Sequence, residues 1–220
     1  MMSEAITREK EHFIAHYESH QSLFNDCADL LPKLLRAILP RRLDLVLTTR
    51  VKPLDNCLKK IDRKYQREIE AGERAASLIT DVIGARVVCL YQDEVDAIIK
   101  ALRSDAAFEF VERHCVDKIT ELEEIPGLFG YRAVHVVASL GASRTRLQEY
   151  ERYRELIFEI QVRTIVQDAW ASIERKIGYD KEIAREFRRR LLTLAALFEL
   201  ADREFLTLRD TISGSLDASE

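Results

Sequence analysis

Leu156 to Arg163 read LIFEIQVR, an octet in which apolar and polar side chains alternate. Side chains in an extended strand have a period of two, so Phe158, Ile160 and Val162 share one face while Glu159, Gln161 and Arg163 share the other. The apolar face is read as core. A carboxylate, an amide and a guanidinium in a row most often mean a solvated sheet surface. Two neighbours argue otherwise here. The strand runs into a helical pattern, Thr164 to Tyr179, bearing Gln167, Asp168 and the single tryptophan, Trp170, and a second strand upstream has a matching arrangement.

That second strand, GYRAVHVVASL over 130–140, places Tyr131, Ala133 and His135 on one face and Arg132, Val134 and Val136 on the other. Gly127 and Gly130 precede it, allowing backbone to approach a ligand closely, and Tyr131 offers a flat surface on which a base can stack. Either residue standing alone would be read as a structural tyrosine or a satisfied core histidine. A third stretch, LITDVIGARVVCLY over 78–91, is β-branched and apolar and is predicted as a buried strand. Asp81 enters it, which is costly unless the carboxylate caps the chain or meets a cation such as magnesium.

Outward from these strands the period changes to three and four. Phe13, Ile14, Tyr17, Leu23, Phe24, Cys27, Leu30, Leu31, Leu34, Leu35 and Ile38 predict helix over residues 5–39, with a break near Asp29 to Pro32 because proline cannot donate to the preceding turn. Residues 54–70, 95–102 and 181–208 also read as helix, Gly72 as a stop, and 108–116 as a short alternating segment. The fold class is therefore α+β: a mixed sheet of about five strands flanked by helices. Residues 1–44 form an amino-terminal helical flank, 45–180 the central unit, 181–212 a carboxy-terminal helix and 213–220 a disordered tail.

Composition narrows the functional classes. With 47% apolar and 33% charged residues among 220, the chain is globular, and only 7 Gly and 4 Pro argue against a turn-rich sandwich. No apolar run approaches the roughly 20 residues that span a bilayer, and MMSEAITREKEHF lacks the apolar centre of a secretion signal, so no membrane partner and a cytoplasmic location are expected. Cys27, Cys57, Cys89 and Cys115 are scattered and read as reduced thiols. His12, His16 and His20 share a helix face, but no carboxylate or cysteine completes a tetrahedral metal set beside them, and a solvated stripe is the better reading.

A net charge of −4 means that any phosphate site must be a local basic cluster. One exists: Arg50 and Lys52, then Lys59, Lys60, Arg63, Lys64 and Arg67, with Asp55 and Asp62 the only acids between Arg50 and Arg67. Helical steps gather Lys60, Arg63, Lys64 and Arg67 toward one face. A polyphosphate site, an Asp for a cation, a Glu for proton removal and a Tyr for stacking together suit attack of a hydroxyl on a nucleotide phosphate.

RVKPLDNCLKKI, DVIGARVV, GYRAVHV and EIQVRTIVQDAWASIERKIGY resemble the successive motifs of the RelA/SpoT-type alarmone synthetase domain. Four ordered motifs over roughly residues 45–180 make the resemblance specific. It implies a nucleotidyltransferase-like fold, and a pyrophosphokinase that uses ATP and Mg2+ to pyrophosphorylate the 3′-hydroxyl of a nucleotide, GDP or GTP giving (p)ppGpp. The length is that of the small single-domain synthetases, and the sequence has no His-Asp dipeptide, so hydrolase activity is not expected. By the same resemblance Arg50 stacks on the ATP base, Lys52 and Lys60 bind phosphate, and Arg86 joins the ATP site. Asp81 and Glu159 are the catalytic, metal-binding carboxylates, Glu159 also activating the acceptor hydroxyl. Tyr131 stacks on the acceptor base, and His135, Gln161 and Arg163 line its pocket.

The acceptor segment departs from the family pattern Lys-x-Asn-Gly-Tyr-x-Ser-x-His: Gly127, Phe129, Gly130, Tyr131, Ala133 and His135 stand here, without the lysine, asparagine and serine. Each lost polar contact is worth about 1 to 3 kcal/mol, enough to change which acceptor wins. Glu121, Glu123 and Glu124 would also repel a polyphosphate if they faced the site. An alternative therefore stands beside (p)ppGpp synthesis: the toxic small synthetases, which act on the 3′ end of tRNA or make adenine alarmones and are paired with an antitoxin protein. A tRNA acceptor would need an outer basic surface, for which Lys33, Arg36, Arg41, Arg42 and Arg188 to Arg190 are candidates. Retention of Asp81 and Glu159 argues against an inactive nucleotide sensor. A homo-oligomer is compatible with either enzymatic reading.

Overall fold

A computed structural model describes residues 4–125, 129–130, 132–178 and 185–217. In chain order the elements are α1 (Glu4–Ile38), β1 (Val46–Val51), α2 (Leu54–Lys64), α3 (Gln66–Glu70), α4 (Ala75–Leu78), β2 (Ile83–Cys89), α5 (Gln92–Ser104), β3 (Phe108–Phe110), a single 3-10 turn (Glu112–His114) and β4 (Val116–Asp117). They continue as α6 (Lys118–Glu123), β5 (Val134–Leu140), α7 (Ala142–Thr145), α8 (Gln148–Glu151), β6 (Ile157–Thr164), α9 (Ile165–Gly178) and α10 (Arg185–Asp217).

Among the described residues one six-stranded mixed sheet runs β1-β2-β6-β5-β3, with β4 also paired to β5. The octet that opened the reading lies at its centre, parallel to β2 and antiparallel to β5. Registers align the faces across strands. Phe158, Ile160 and Val162 lie beside Ile83, Ala85 and Val87, and beside Ala138, Val136 and Val134, and all three β6 residues are fully buried. Phe13, Phe24, Leu31 and Leu35 of α1 join them in one core with Val95, Ile98 and Leu102 of α5. Each such side chain contributes about 1.5 to 3 kcal/mol through burial, so this face binds the sheet to α1 and α5 and leaves the other face for chemistry.

Several predicted boundaries move. α1 is continuous through Pro32 and shows no break at Asp29 to Pro32. Proline removes one hydrogen bond, but Cys27, Ala28, Leu31, Leu34 and Leu35 on both sides of the gap are buried, and that packing outweighs the lost bond. The helix predicted over 54–70 is interrupted at Tyr65 (φ −117°, ψ 17°), and Gly72 ends it at φ 96°, a conformation that favours glycine. The buried strand predicted over 78–91 shrinks to β2, because Ala75–Leu78 coils into α4 and Asp81 sits in the turn before the strand. Residues 108–116 divide into β3, the 3-10 turn and the start of β4. α10 runs through Ser213 and Gly214 to Asp217, with the Thr211 and Ser215 hydroxyls donating to the carbonyls of Thr207 and Thr211. No helix among the described residues is long and apolar enough to cross a membrane.

Candidate active site

The opposite sheet face carries the polar alternation. Arg50 of β1 lies opposite Gly84 of β2, Gly84 beside Glu159 of β6, Arg86 beside Gln161, and Gln161 opposite His135 of β5. Directly paired residues share a face, so four strands deliver these groups to one surface. There Thr48, Thr49, Arg50, Asp81, Gly84, Ala85, Arg86, Glu159 and Gln161 line a cavity of about 150 Å3. Five residues predicted from separate motifs, Arg50, Asp81, Arg86, Glu159 and Gln161, thus meet around one space.

Asp81 stands at its edge with both carboxylate oxygens engaged: Lys52 Nζ donates to one at 2.5 Å and Lys60 Nζ to the other at 2.9 Å. Lys52 is placed by its backbone, whose N–H donates to Val82 O at 2.7 Å and whose carbonyl accepts the Tyr17 hydroxyl of α1 at 2.9 Å. Burial pushes the Asp81 carboxyl up, but the charges and hydrogen bonds of Lys60 and Lys52 outweigh it and hold the group below its usual range. Burial alone would lower Lys60; Asp81 reverses this and raises it. Two ammonium groups on one carboxylate leave one positive charge in excess, directed at the cavity edge.

Glu159 is the second ionised carboxylate. His135 Nδ1 lies 3.1 Å from one oxygen, and Gln161 Nε2 donates to the other at 2.5 Å. Burial raises its pKa, His135 and then Gln161 lower it, and the nearby Asp81 charge raises it again; the net direction is down. Gln161 in turn accepts from Arg163 Nη2. Arg163 is predicted as an acceptor-pocket lining residue, and here the structure differs. Its side chain is fully enclosed, with Nη1 3.6 Å from Asp168 of α9. Asp168 also meets Arg86 at 3.2 Å, so α9 covers this end of the polar face and ties Arg86 of β2 to the Gln161–Arg163 row of β6. Tyr131 lies outside the described residues.

The reading from sequence left Asp168 and Arg132 out of the site. Arg132 is 5% exposed, with Nη2 2.6 Å from Glu123 of α6 and Nη1 2.9 Å from Glu199 of α10. Glu123 is thereby neutralised, and Glu121 pairs with Lys118, which removes much of the expected repulsion of a polyphosphate. The partners of Arg132 are nine and sixty-seven positions away, and nothing local signals the second. Asp168 had a weak signal, an acid in the first turn of a helix that follows the decisive strand.

Beside Arg132, Asp202 of α10 is 3% exposed and accepts from Thr164 Oγ1 at 3.0 Å and Gln167 Nε2 at 3.1 Å. Burial pushes its carboxyl up; the two hydrogen bonds and Arg132 oppose this without reversing it, and Glu199 adds to the rise. A carboxyl whose folded pKa lies above its unfolded value costs stability as pH rises from the unfolded value through the folded one. Asp202→Asn keeps an acceptor for both donors and loses that cost. Its melting temperature relative to wild type is expected to improve between pH 4 and pH 7.5. A loss that grows from pH 4 to pH 7.5 would overturn this and show that the ionised form is needed.

Asp81 and Glu159 fit a hard divalent cation such as magnesium as oxygen donors. Among the described residues no group of three or more metal-ligating side chains is gathered, so the remaining coordination would fall to water and substrate phosphate, which is how magnesium is commonly held. The His16 and His20 rings of α1 lie against each other at a tilt of 34°, with centroids 4.3 Å apart.

Comparison with known proteins agrees with this fold. GTP pyrophosphokinase YwaC of Bacillus subtilis (strain 168) is 26% identical over 166 residues, 74% of this chain and 73% of that protein. GTP pyrophosphokinase YjbM of the same organism is 28% identical over 169 residues, 75% and 72% of the two chains. The crystal structure of small alarmone synthetase 1 from Bacillus subtilis bound to its product pppGpp shares the fold with a TM-score of 0.70 at 24% identity, over 90% of this chain and 99% of that one. The family described as "Region found in RelA / SpoT proteins" matches residues 49–184, a span that contains Arg50, Arg86, His135, Gln161 and both carboxylates. The chain belongs to the RelA/SpoT family.

Proposed function

We propose that this protein is a pyrophosphokinase that transfers the β,γ-pyrophosphate of ATP to the 3′-hydroxyl of GDP or GTP, making ppGpp or pppGpp. The observation that carries this reading is the pairing, in one cavity, of two carboxylates held ionised by different partners. Asp81 sits in a cationic corner beside Lys52, Lys60, Arg50 and Arg86 that suits a polyphosphate, and Glu159 sits on the histidine side that suits an incoming hydroxyl.

In this mechanism the acceptor O3′ forms a bond to Pβ while the bond from Pβ to the oxygen bridging Pα breaks, and AMP leaves with that oxygen. Glu159 takes the hydroxyl proton. Its hydrogen bond from Gln161 and its contact with His135 fix the carboxylate's direction. Lys52 and Lys60 exchange part of their hold on Asp81 for the phosphates, and Arg50 and Arg86 line the donor side. Magnesium, held by Asp81 and Glu159, would supply charge neutralisation on the phosphates. The curated relatives named GTP pyrophosphokinase support the guanine acceptor, as does the pairing of Glu121 and Glu123 with cations.

A tRNA acceptor is the second reading. It is favoured by the missing lysine, asparagine and serine of the acceptor segment and by the exposure of Lys33, Arg36, Arg41, Arg42 and Arg188 to Arg190. One experiment separates the two. Purified protein is incubated with ATP labelled on its γ-phosphate and, in separate reactions, GDP, GTP, AMP, ADP or deacylated tRNA across a salt series. Labelled guanine product, with little effect of Arg41→Glu/Arg42→Glu, is the expected result. Labelling of tRNA alone, with steep salt dependence and loss on charge reversal, would replace it.

A further inference from the structure

Residues 124–131, the acceptor segment, lead from the end of α6 to Arg132, two residues before β5, and carry Gly127, Gly130 and Tyr131. The positions that flank the segment are fastened to each other. Glu123 closes α6, Arg132 follows Tyr131, and their side chains meet at 2.6 Å although nine positions separate them. Arg132 is also held by Glu199 of α10 at 2.9 Å, an ion pair by distance without hydrogen-bond alignment at Nη1. Arg203, one turn beyond Glu199, completes a ring, with its Nη2 2.7 Å from Glu199 and 3.9 Å from Glu123. Two acids alternate with two arginines, so the ring as a whole is neutral.

Burial is graded around the ring. The Arg132 and Glu199 side chains are 6% and 12% exposed, those of Glu123 and Arg203 43% and 55%. An enclosed ion pair is a poor source of stability, because desolvation offsets most of the attraction. It is a good way to fix geometry, since a guanidinium is planar and donates to two carboxylates in set directions. The place of the ring makes that geometry matter. Ala133, next in the chain, is fully buried, and its carbonyl accepts the backbone N–H of Lys118 of α6 at 3.1 Å. Three residues past Arg132, His135 contacts Glu159. α10 is itself seated firmly: Asp202 accepts from Thr164, the last residue of the strand that carries Glu159, and from Gln167, and Phe198 packs on Trp170 with ring centroids 5.7 Å apart. Glu199 is therefore a fixed post to which the acceptor side of the site is tied.

We propose that Glu123, Arg132 and Glu199 are positioning residues for the acceptor: a clasp that holds the two ends of the acceptor segment on α10 and sets how tightly the acceptor binds. The proposal rests on the pyrophosphokinase reading above. Its physical basis is preorganisation. Holding both ends on a fixed helix removes conformations that would otherwise have to be given up on binding, at the expense of acceptor affinity.

The test is steady-state kinetics at saturating ATP with the acceptor varied, together with direct ATP binding. KM for the acceptor should rise about 10-fold or more in Glu123→Ala, in Glu199→Gln and in Arg132→Lys, which keeps the charge and loses the planar fork. kcat and the ATP dissociation constant should stay within about 2-fold of wild type, a split that general loss of structure does not produce. Arg203→Ala, at the exposed corner, should change KM by less than about 3-fold. Melting should stay at the wild-type value in Glu123→Ala, whose side chain is exposed, so this variant decides the matter even if those at enclosed positions fold poorly. A lower KM in Glu123→Ala would show a carboxylate that merely repels the acceptor, and a parallel fall of kcat and ATP affinity would show general support of the sheet. Either result, or an unchanged KM, overturns the proposal. The acceptor used is whichever one wild type labels, so labelling of tRNA in place of GDP or GTP corrects the reading above while the clasp is still judged by KM. A wild type that labels no acceptor overturns both.

Discussion

Asp81→Asn is expected to lower pyrophosphate transfer by at least about 1,000-fold and to destabilise the protein as well. The two effects have different causes. The amide cannot neutralise a divalent cation or the positive corner in which it stands, so the donor phosphates lose their counter-charge arrangement in the transition state. Independently, Lys52 and Lys60 lose the carboxylate that each contacts. Removing one partner of an enclosed ion pair costs about 3 to 5 kcal/mol, and about 2 to 4 kcal/mol is the expectation here because the cavity admits water to the stranded ammonium groups. The double variant Asp81→Asn/Lys52→Met separates the causes. It should recover part of the melting temperature and none of the activity. Recovery of turnover in the double variant, or wild-type turnover in Asp81→Asn, would remove Asp81 from the catalytic group.

The same carboxylate gives the pH dependence a sign. Its folded pKa lies below the unfolded value, so its contribution to stability is complete above the ordinary aspartate value of about 4 and disappears as pH falls through the folded value. Acid unfolding of wild type should therefore be steeper than that of Asp81→Asn, which begins from lower stability but has no such proton to take up.

What could be read from the sequence follows the range of the interactions involved. The alternation of Phe158, Ile160 and Val162 against Glu159, Gln161 and Arg163 is strictly local, and the faces it predicts are those observed. Asp81 was legible for a similar reason, because an acid at the entrance of an apolar run needs a partner and a basic cluster lay upstream. Alternation says only which side a residue points to, however, and not what covers that side. Glu159 and Gln161 line the cavity, whereas Arg163, two residues on, is roofed by α9 and bound to Asp168. The continuity of α1 through Pro32 was hidden likewise, since the intrinsic cost of proline is visible in sequence and the packing of Leu31 and Leu35 that outweighs it is not. Arg132 shows the limit most clearly. Its position suggested a strand face, but its guanidinium is held by Glu199, from a helix that the acceptor segment meets only in three dimensions.

Glu159→Gln is expected to reduce kcat by about 100- to 10,000-fold with little change in ATP affinity. Burial works against its charge, and His135 and Gln161 together make the ionised form prevail. An enclosed carboxylate with two fixed partners is a preorganised proton acceptor: it holds its direction without rearrangement as the hydroxyl attacks. Glutamine keeps the size and can still accept from Gln161, but it cannot take the proton. The loss should therefore fall on the chemical step, while the cationic corner of Arg50, Lys52, Lys60 and Arg86, proposed to take the donor, stays intact. Single-turnover rates and direct ATP binding, measured on the same preparation, divide the outcomes. A slow chemical step with normal ATP binding assigns proton removal to Glu159. Parallel collapse of both would make it a residue that holds the sheet face together, its charge serving His135 and the Gln161–Arg163 row instead of the reacting hydroxyl.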